Sequence, residues 1–529
     1  MKRFEWLSEY LARLHDEHIL VRAGDTLALA PARQLTIDPE DWRRSIRLAT
    51  EIGCRFAGIW GDPTDEEETR IYACLVCQGD YLILTTLVAQ RQPTLPSLTP
   101  VYSGADRLER HLRDLLGIRF QEHPDERRWT RHQAWREEEF PLRADFPVGG
   151  RSACRTHADN TYPFAQIQGS GVYEIPVGPV HAGIIEPGHF RFQAVGEEVL
   201  RLEERLGFVH KGIEKIAVGR DPQSLARLAG RVSGDTTLAH TWAACQAMER
   251  ATGCQVPPRA LALRALLCER ERIVNHLGDI GAICNDVGFA FAHLQCAKLR
   301  EQWLRRNASL FGHRLLMDVV IPGGVGVDLT RVDLSLLRAD HVGLRRETAI
   351  LFDIIDDHPS LEDRLMTTGQ LPKEEASRLG CTGYVGKASG LSFDVRCDSP
   401  YPPYDKLTLT PAVEQEGDVA ARVRVRINEI KSSLALLEQL FEGLPEGEIL
   451  APLPTPAAGA AGLGIIDGWR GEIISFIRFD AAGRIARFFP RDPSWFTWPA
   501  LERLIMGNIV PDFPVCNKSV NGSYSGQDL

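Results

Sequence analysis

Two short segments hold the side chains with the most scope for chemistry. The first, "RVSGDTTLAH" at 231–240, interrupts an otherwise helix-patterned stretch with Ser, Gly, Asp and two Thr. Ser, Thr and Asp compete for backbone hydrogen bonds and Gly adds conformational entropy, so this group weakens a helix interior. The second segment, "VNGSYSGQDL" at 520–529, is also rich in hydroxyls and Gly. We infer that something other than helix formation selected these residues.

Cysteine usage argues against a zinc site or a disulfide framework. Twelve cysteines are scattered along the chain, as expected of reduced thiols in the cytosol. The one Cys-x-x-Cys spacing, Cys74 and Cys77, falls in a stretch that alternates like a strand. Side chains three apart on a strand point to opposite faces, so the two sulfurs do not converge on one metal. We predict that both are small core residues.

Charge and hydropathy exclude two further classes of site. The net charge is −10 and no basic, aromatic-interleaved stripe occurs, which argues against nucleic acid as a partner. The longest apolar run, at 81–89, is far shorter than the roughly 20 residues that cross a bilayer. The first residues lack the pattern of a secretory signal. We expect a cytoplasmic protein without a transmembrane segment, which reaches a membrane only through partners.

The helices and strands that must position these segments are predicted from apolar periodicity, and they indicate an α+β chain. Residues 1–125 read as an α+β domain with strands near 55–60 and 71–88. The charged, Pro-containing stretch at 126–165 is a linker or an extended arm. Residues 166–529 read as a mainly α-helical domain that begins with a β-hairpin. Its main helical periods lie near 225–252, 258–283, 297–317, 335–355 and 422–444.

Six segments resemble one superfamily in their order and approximate spacing. The chain is similar to the large subunit of complex-I-related [NiFe] hydrogenases of the formate hydrogenlyase and hydrogenase-4 type, and to the quinone-site large subunit of respiratory complex I. Residues 96–128 resemble the small accessory subunit that packs on that large subunit, which implies a fused chain. The six segments are "GPVHAGIIEPGHFRF", "RLGFVHKGIEKIAVGR", "RVSGDTTLAH", "LCERERIVNHLGDIG", "ARVRVRINEI" and "LIMGNIVPDFPVCNKSVNGSYSG".

In those hydrogenases, two Cys-x-x-Cys pairs hold nickel and iron. The resemblance puts the first pair at Ser233 and Thr236 and the second at Ser523 and Gly526, so all four thiols are missing. Thiolate is a soft ligand that bridges two metals and is accessible near neutral pH, whereas a hydroxyl is hard and stays neutral. The resemblance therefore implies a degenerate site without nickel, and no cofactor held by this chain. We also expect no need for the removable C-terminal extension that such hydrogenases generally carry.

The resemblance also implies which residues line the altered pocket. Glu186 falls where hydrogenases transfer protons, and Glu186 and Asp235 are candidate proton carriers, because a buried carboxyl must be paired or have its pKa raised. His181 and Lys387 are further candidate pocket residues. In complex I a Tyr and a His of these segments hold the quinone head group, and Gly234 and Glu186 take their positions here. Alternatively, the polar groups only fill the vacated cavity with hydrogen bonds and water.

One helix motif implies a contact with a partner. His276 lies one turn after Arg272, so both share a helix face. Their motif resembles that of the complex I His beside the last iron–sulfur cluster, which a separate small subunit holds. The resemblance therefore implies contact of both residues with a partner's [4Fe-4S] cluster, and the alternative is an ordinary internal histidine. His210 and Glu214, also one turn apart, are predicted to form an internal ion pair.

Together these expectations describe a fused large subunit in the peripheral arm of a membrane-bound complex. Its partners would be an iron–sulfur small subunit and ion-pump-like subunits of a membrane arm, which would attach it to the cytoplasmic side of the inner membrane. The degenerate site would contribute to proton or redox coupling. Two alternatives remain: a quinone- or ferredoxin-linked oxidoreductase subunit that uses the modified cavity, and a non-catalytic structural scaffold.

Overall fold

The computed structural model describes residues 4–23, 29–64, 67–132, 135–150, 162–181 and 185–529. About 45% of the chain is helical and 19% is strand, which confirms the α+β class. The domain limits after residues 125 and 165 stay predictions. Parts of the predicted arm and of the hairpin loop lie outside the described residues.

A five-stranded sheet organises the first part of the chain. Its strands have the order β1-β2-β5-β4-β3, with β2 and β5 parallel and the other neighbours antiparallel. Cys74 and Cys77 lie in β4 and both are buried, as predicted. The elements are α1 Glu5–Asp16, β1 Val21–Ala23, β2 Arg33–Ile37, α2 Trp42–Glu51, β3 Arg55–Pro63, β4 Glu68–Cys77, β5 Asp80–Ala89, β6 Thr94–Pro96, α3 Asp106–Leu116 and β7 Arg119–Gln121.

This sheet packs directly on the C-terminal part of the chain. Trp60 of β3 stacks on Phe489, with 5.5 Å between the ring centroids. Arg55 forms an ion pair of 2.7 Å with the buried Glu472, and Tyr81 donates a hydrogen bond of 2.6 Å to the same carboxylate. Apolar and charged contacts therefore join the two parts across one interface.

The charged stretch after β7 forms an extended arm on the body. Trp129 is buried although residues 122–132 have no helix or strand, and Arg127 pairs with Glu203. The sheet that follows is wider than the predicted hairpin, because a third strand pairs with it. The strands β8 Val172–Val177, β9 His189–Val195 and β10 Glu198–Arg205 are antiparallel in the order β10-β9-β8.

Helices make up most of the remaining chain, and a helix lies at each predicted period. Within the described part of the chain, no helix combines the length and the apolarity needed to span a bilayer. The elements are α4 Ile213–Ile216, α5 Pro222–Ala229, α6 Thr237–Thr252, α7 Pro258–Asp286, α8 Ala290–Phe311, β11 Val320–Ile321, β12 Gly324–Val325, α9 Arg331–Asp356, α10 Pro359–Leu365, α11 Lys373–Leu379, α12 Gly383–Ala388, α13 Val395–Asp398, α14 Val419–Glu442, β13 Ala461–Gly468, β14 Gly471–Phe479, β15 Ile485–Arg491, α15 Ser494–Leu504, α16 Phe513–Val520 and α17 Tyr524–Asp528.

Two glycines let α6 lie against β13. A Cβ at Gly464 would lie 1.8 Å from the carbonyl oxygen of Ala243, and a Cβ at Gly462 would lie 2.0 Å from that of Ala247. Only Gly permits so close an approach of two backbones. This contact fixes α6, and residues of the candidate site lie directly before its first turn.

Candidate functional site

The first hydroxyl-rich segment is a break between two helices. The single predicted period at 225–252 is two helices, α5 and α6, with a short 3-10 turn at Gly234–Thr236 between them. The hydroxyl of Thr237 donates a hydrogen bond of 2.8 Å to the carbonyl of Gly230, so a side chain satisfies that group where the helix does not. The composition of the segment therefore ends one helix and starts the next.

The two hydroxyl-rich segments meet in the folded chain. Ser233 Oγ lies 2.9 Å from Ser523 Oγ, although 290 positions separate them in sequence. Ser523 caps α17 by accepting a hydrogen bond of 2.9 Å from the backbone N–H of Gly526, and its Oγ lies 3.4 Å from Ser525 Oγ. We call Ser233, Thr236, Ser523 and Ser525, all buried, the hydroxyl cluster.

Asp235 holds the inner end of the hydroxyl cluster. Arg470 donates two hydrogen bonds of 2.7 Å to its carboxylate. Ser233 donates one of 2.7 Å and Thr236 one of 3.0 Å. Burial favours the neutral carboxyl, but the charge and hydrogen bonds of Arg470 outweigh it and hold the pKa of Asp235 well below its usual range. Asp235 is therefore ionised at neutral pH, with 37% of its side chain exposed.

These bonds fix the direction in which the hydroxyls point. A carboxylate only accepts, so Ser233 donates its proton to Asp235 and accepts from Ser523. Ser523 has then used its proton, so Ser525 is the donor in the longer contact between them. The hydroxyls form a one-way chain from Ser525 to Asp235. At its outer end, the exposed Glu186 accepts a hydrogen bond of 3.0 Å from the backbone N–H of Ser525.

The hydroxyl cluster does not fit a nickel–iron centre. Neutral hydroxyls are poor substitutes for thiolates. A Cβ at Gly526 would lie only 2.7 Å from Asp492 Cγ, and Asp492 is held there by His240, whose Nε2 is 2.8 Å from Oδ2. A buried hydrogen-bonded pair thus occupies the space that a fourth ligand would need. Among the residues that the structure describes, no group of three or more His, Cys, Asp and Glu could hold a metal ion.

His181 and Lys387 do not join the hydroxyl cluster. His181 Nε2 lies 2.7 Å from the carbonyl oxygen of Gly188, across the base of its own loop. Lys387 is buried, and its Nζ lies 2.6 Å from Asp394 and 2.8 Å from Glu429. These two carboxylates therefore neutralise the Lys387 ammonium within the core.

Lys387 belongs to a buried group of charges that also contacts His276. His276 Nε2 lies 2.6 Å from Glu429, and Arg272 contacts the same carboxylate at 3.5 Å. Because His276 and Arg272 are buried among internal partners, their contact with another subunit's cluster stays a prediction. Burial also lowers the pKa of His276. We call the charged residues here, each at most 3% exposed, the ion network: Glu269, Arg272, Lys387, Asp394, Arg396, Glu429 and Asp467.

Trp469 lies between the hydroxyl cluster and the ion network. Its indole N–H donates to Thr236 Oγ1 at 3.0 Å and to the carbonyl of Asp235 at 2.9 Å. Its ring centroid is 5.9 Å from that of His276. One aromatic side chain therefore couples the positions of both groups.

Glu271 is a candidate that sequence reasoning missed. It lines the same shallow cleft as Asp235 and accepts hydrogen bonds from the N–H groups of Leu238, at 2.7 Å, and Ala239, at 3.2 Å. Burial raises the pKa of Glu271 to about 8. In the sequence, Glu271 stands between Arg270 and Arg272, which suggests an ordinary ion pair. The spacing alone does not reveal that its partners are the backbone N–H groups at the start of α6.

The predicted ion pair between His210 and Glu214 is wrong. His210 Nδ1 lies 2.7 Å from the carbonyl oxygen of Asp528, and Glu214 pairs with His111 at 2.6 Å and with Arg487. Because α4 begins only at Ile213, His210 is outside the helix and the i,i+4 geometry does not apply.

Comparisons with known proteins agree with this arrangement. Residues 35–152 match the respiratory-chain NADH dehydrogenase 30 Kd subunit, residues 211–278 nickel-dependent hydrogenase, and residues 286–460 the respiratory-chain NADH dehydrogenase 49 Kd subunit. Formate hydrogenlyase subunit 5 of Escherichia coli is 33% identical over 444 residues, which cover 83% of this chain and 78% of that protein. The NADH-quinone oxidoreductase C/D fusion of Phocaeicola vulgatus is 30% identical over 411 residues, 74% of this chain and 78% of that protein.

One solved structure extends the comparison to the fold. A chain of the membrane-bound sulfane sulfur reductase, an archaeal respiratory membrane complex, superposes with a TM-score of 0.64 at 26% identity, over 68% of this chain and 99% of that one. The resemblance inferred from the sequence is thus confirmed. The chain belongs to the family of large subunits shared by complex I and its related hydrogenases, with 30 Kd-type and 49 Kd-type parts fused.

Proposed function

We propose that this chain is the large subunit in the peripheral arm of a membrane-bound complex and that hydroxyls replace its metal ligands. One observation carries the proposal: the two segments expected to supply ligands converge, yet they bring Ser233, Thr236 and Ser523 in place of thiols, and Asp492 fills the space beside Gly526. The chain would hold no cofactor, and the arm's iron–sulfur small subunit would supply any [4Fe-4S] cluster. Ion-pump-like subunits would attach it to the inner membrane.

We further propose that the hydroxyl cluster couples proton movement to the rest of the complex. A hydroxyl that accepts one proton and releases its own passes charge along a chain, and the bonds from Ser525 to Asp235 have one direction. The low pKa of Asp235 makes it a transit group that does not keep a proton. Glu271, with a pKa near 8 in the same cleft, is better matched to holding a proton near neutral pH. Glu186 would be the outer carrier.

Metal analysis of the purified complex tests the replaced ligands. We expect nickel far below one atom per chain, because a bimetallic centre needs the missing thiolates. One nickel per chain would overturn the proposal. Iron is not diagnostic in this measurement, since a partner cluster contributes it.

Ion transport by the complex in membrane vesicles tests coupling. Ser233→Ala removes the hydroxyl that donates to Asp235, and Glu186→Gln removes the outer carboxylate. We expect each variant to assemble normally but to transport about a hundredfold more slowly, the lower end of the range for a positioned proton-transfer group. Glu198→Gln, on the exposed start of β10, is the matched control. Unchanged transport in both site variants would favour the structural scaffold.

An oxidoreductase subunit is the second candidate. The likeness to the membrane-bound sulfane sulfur reductase favours it, because that chain is covered almost completely. In this case the modified cavity would serve an acceptor such as a quinone, ferredoxin or sulfane sulfur, with electrons from the small subunit. Spectroscopy of the reduced complex separates the candidates: acceptor-dependent reoxidation of an iron–sulfur signal favours the redox function, and its absence favours coupling without redox chemistry.

A further inference from the structure

A polar cavity lies between the five-stranded sheet and the C-terminal part of the chain. Its volume is about 620 Å³, and it shares no described residue with the hydroxyl cluster or the ion network. Strands β2, β4 and β5 form one wall, and the end of α6, the start of β13 and the loop before β13 form the other. The cavity is within the usual size range of small-molecule sites.

Positive charge is concentrated in this cavity. Arg70, Arg250 and Arg478 line it, and no Asp or Glu is among its described lining residues. The whole chain, in contrast, has a net charge of −10. Arg478 is neutralised by the buried Asp62, to which it donates hydrogen bonds of 2.6 Å and 2.8 Å. The two remaining cationic charges match a dianion.

Arg250 has most of its hydrogen-bonding capacity free. A guanidinium has five N–H donors, and towards the residues that the structure describes Arg250 uses one, through Nη1 to the carbonyl of Leu463 at 2.6 Å. Within the described parts of the chain, no carboxylate forms an ion pair with it. Burial lowers the pKa of Arg250 to about 10, so it remains a cation at neutral pH.

Hydroxyl groups on β2 and β5 complete the polar wall. Thr36 Oγ1 and Thr85 Oγ1 lie 3.0 Å apart. Thr86 follows Thr85 on β5, so its side chain points to the opposite face of the sheet and its hydroxyl is not part of this wall. One hydroxyl of the Thr36 and Thr85 pair donates to the other, so the second proton can be donated to a ligand oxygen.

We propose that this cavity binds a small organic phosphate. Guanidinium forks suit the oxygens of a phosphate group, and a phosphate monoester carries nearly two negative charges at neutral pH. Arg70 and Arg250 would hold the phosphate, and the hydroxyl pair of Thr36 and Thr85 would donate to one of its oxygens. The cavity exceeds the size of a bare phosphate, so the organic part would occupy the remaining space. Because the two walls come from different parts of the chain, the ligand would also hold them together.

Calorimetric titration of the full-length protein tests this site. The probes are ribose 5-phosphate, inorganic phosphate, and citrate as an anion that carries carboxylates in place of phosphate. We expect ribose 5-phosphate to bind most tightly. Arg250→Gln should weaken it tenfold or more, and Arg250→Lys, which keeps the charge but loses the fork, should weaken it less. Arg484→Gln, an exposed site 3.8 Å from Asp221, is the matched control and should bind like the unchanged protein.

Thermal unfolding is a second measurement of binding, and it tests the unchanged protein as well as the variants. Ribose 5-phosphate should raise the melting temperature of the unchanged protein and of Arg484→Gln, but not that of Arg250→Gln. The proposal is overturned if no probe binds the unchanged protein at millimolar concentration, or if Arg250→Gln binds as tightly. Tighter binding of citrate than of both phosphates would overturn the assignment to phosphate.

Discussion

The hydroxyl cluster and the ion network lie on opposite sides of Trp469 and accommodate buried polar groups in different ways. The ion network neutralises charge with charge, because four carboxylates face three cations within hydrogen-bonding distance. The hydroxyl cluster consists of neutral groups and is bounded by one ion pair, between Asp235 and Arg470. Buried charge is kept only where a partner is at hand.

This difference suggests why hydroxyls stand at the predicted ligand positions. A metal site concentrates anionic ligands, and the metal compensates their charge. Without the metal, clustered thiolates or carboxylates would repel one another in a buried space, whereas hydroxyls donate and accept among themselves. The ion network has the opposite problem of one carboxylate too many. Burial, and then the neighbouring Asp394, raises the pKa of Asp467 in it to about 6.

Removing one cation from the ion network should give the largest effect. Lys387→Met keeps the length of the side chain but leaves Asp394 and Glu429 without their shared partner. We expect the free energy of unfolding to fall by about 3–5 kcal/mol, because an uncompensated charge remains buried. Denaturant unfolding of the purified protein measures this. Lys298→Met, in an exposed pair of 3.6 Å with Glu347, should cost less than about 1 kcal/mol, and equal losses would contradict the comparison.

Restoring a thiol in the hydroxyl cluster should destabilise the protein. In Gly526→Cys the new Cβ lies 2.7 Å from Asp492 Cγ, and the His240 pair prevents Asp492 from moving away freely. We expect a loss of about 1–3 kcal/mol from overpacking. Gly343→Cys is the matched control, since it is also helical and a Cβ there has no neighbour within 4 Å. Unfolding of Gly526→Cys at the same denaturant concentration as the control would show that the ligand space is still open.

The spacing of apolar residues predicted where helices and strands lie better than it predicted which elements pair with each other. The long helices, strands β3 to β5 and the hairpin strands β8 and β9 follow from apolar spacing, whereas β1 and β2 were not predicted. Strand β10 was missed because its sequence, "EVLRLEER", mixes charges and Leu in a way that also suits a helix. Its pairing with β9 follows a two-residue turn that begins at Gly196, whose positive φ suits a tight hairpin, so this Gly was the local signal for the strand.

The candidate site was predictable only where a motif identified it. Resemblance indicated Ser233 and Ser523, and the fold brings them together. It did not indicate that Lys387 would pair within the ion network, or that Asp492 would fill the space at Gly526. The position of each of these two side chains depends on which buried polar groups it contacts in the folded chain. Such contacts join residues far apart in sequence: His240 and Asp492, for example, are 252 positions apart.

The last expected effect is spread over several pH units: it concerns the pH dependence of stability and depends on Glu271. Its pKa is raised from 4.5 to about 8 in the folded protein, so the folded state binds this proton more tightly than the unfolded chain does. The stabilising contribution is complete below about pH 4.5 and is lost as the pH rises towards 8. The slope is at most about 1.4 kcal/mol per pH unit.

Glu271→Gln should therefore flatten the pH profile of stability. The amide oxygen still accepts from the start of α6, but the side chain no longer titrates. We expect the unchanged protein to lose more stability than the variant between pH 5 and pH 8, as measured by urea unfolding at each pH. Glu438→Gln, at an exposed surface pair with Arg345, should follow the unchanged protein. If all three profiles are parallel, Glu271 is not protonated in the fold, and the cleft beside the hydroxyl cluster has no group suited to holding a proton near neutral pH.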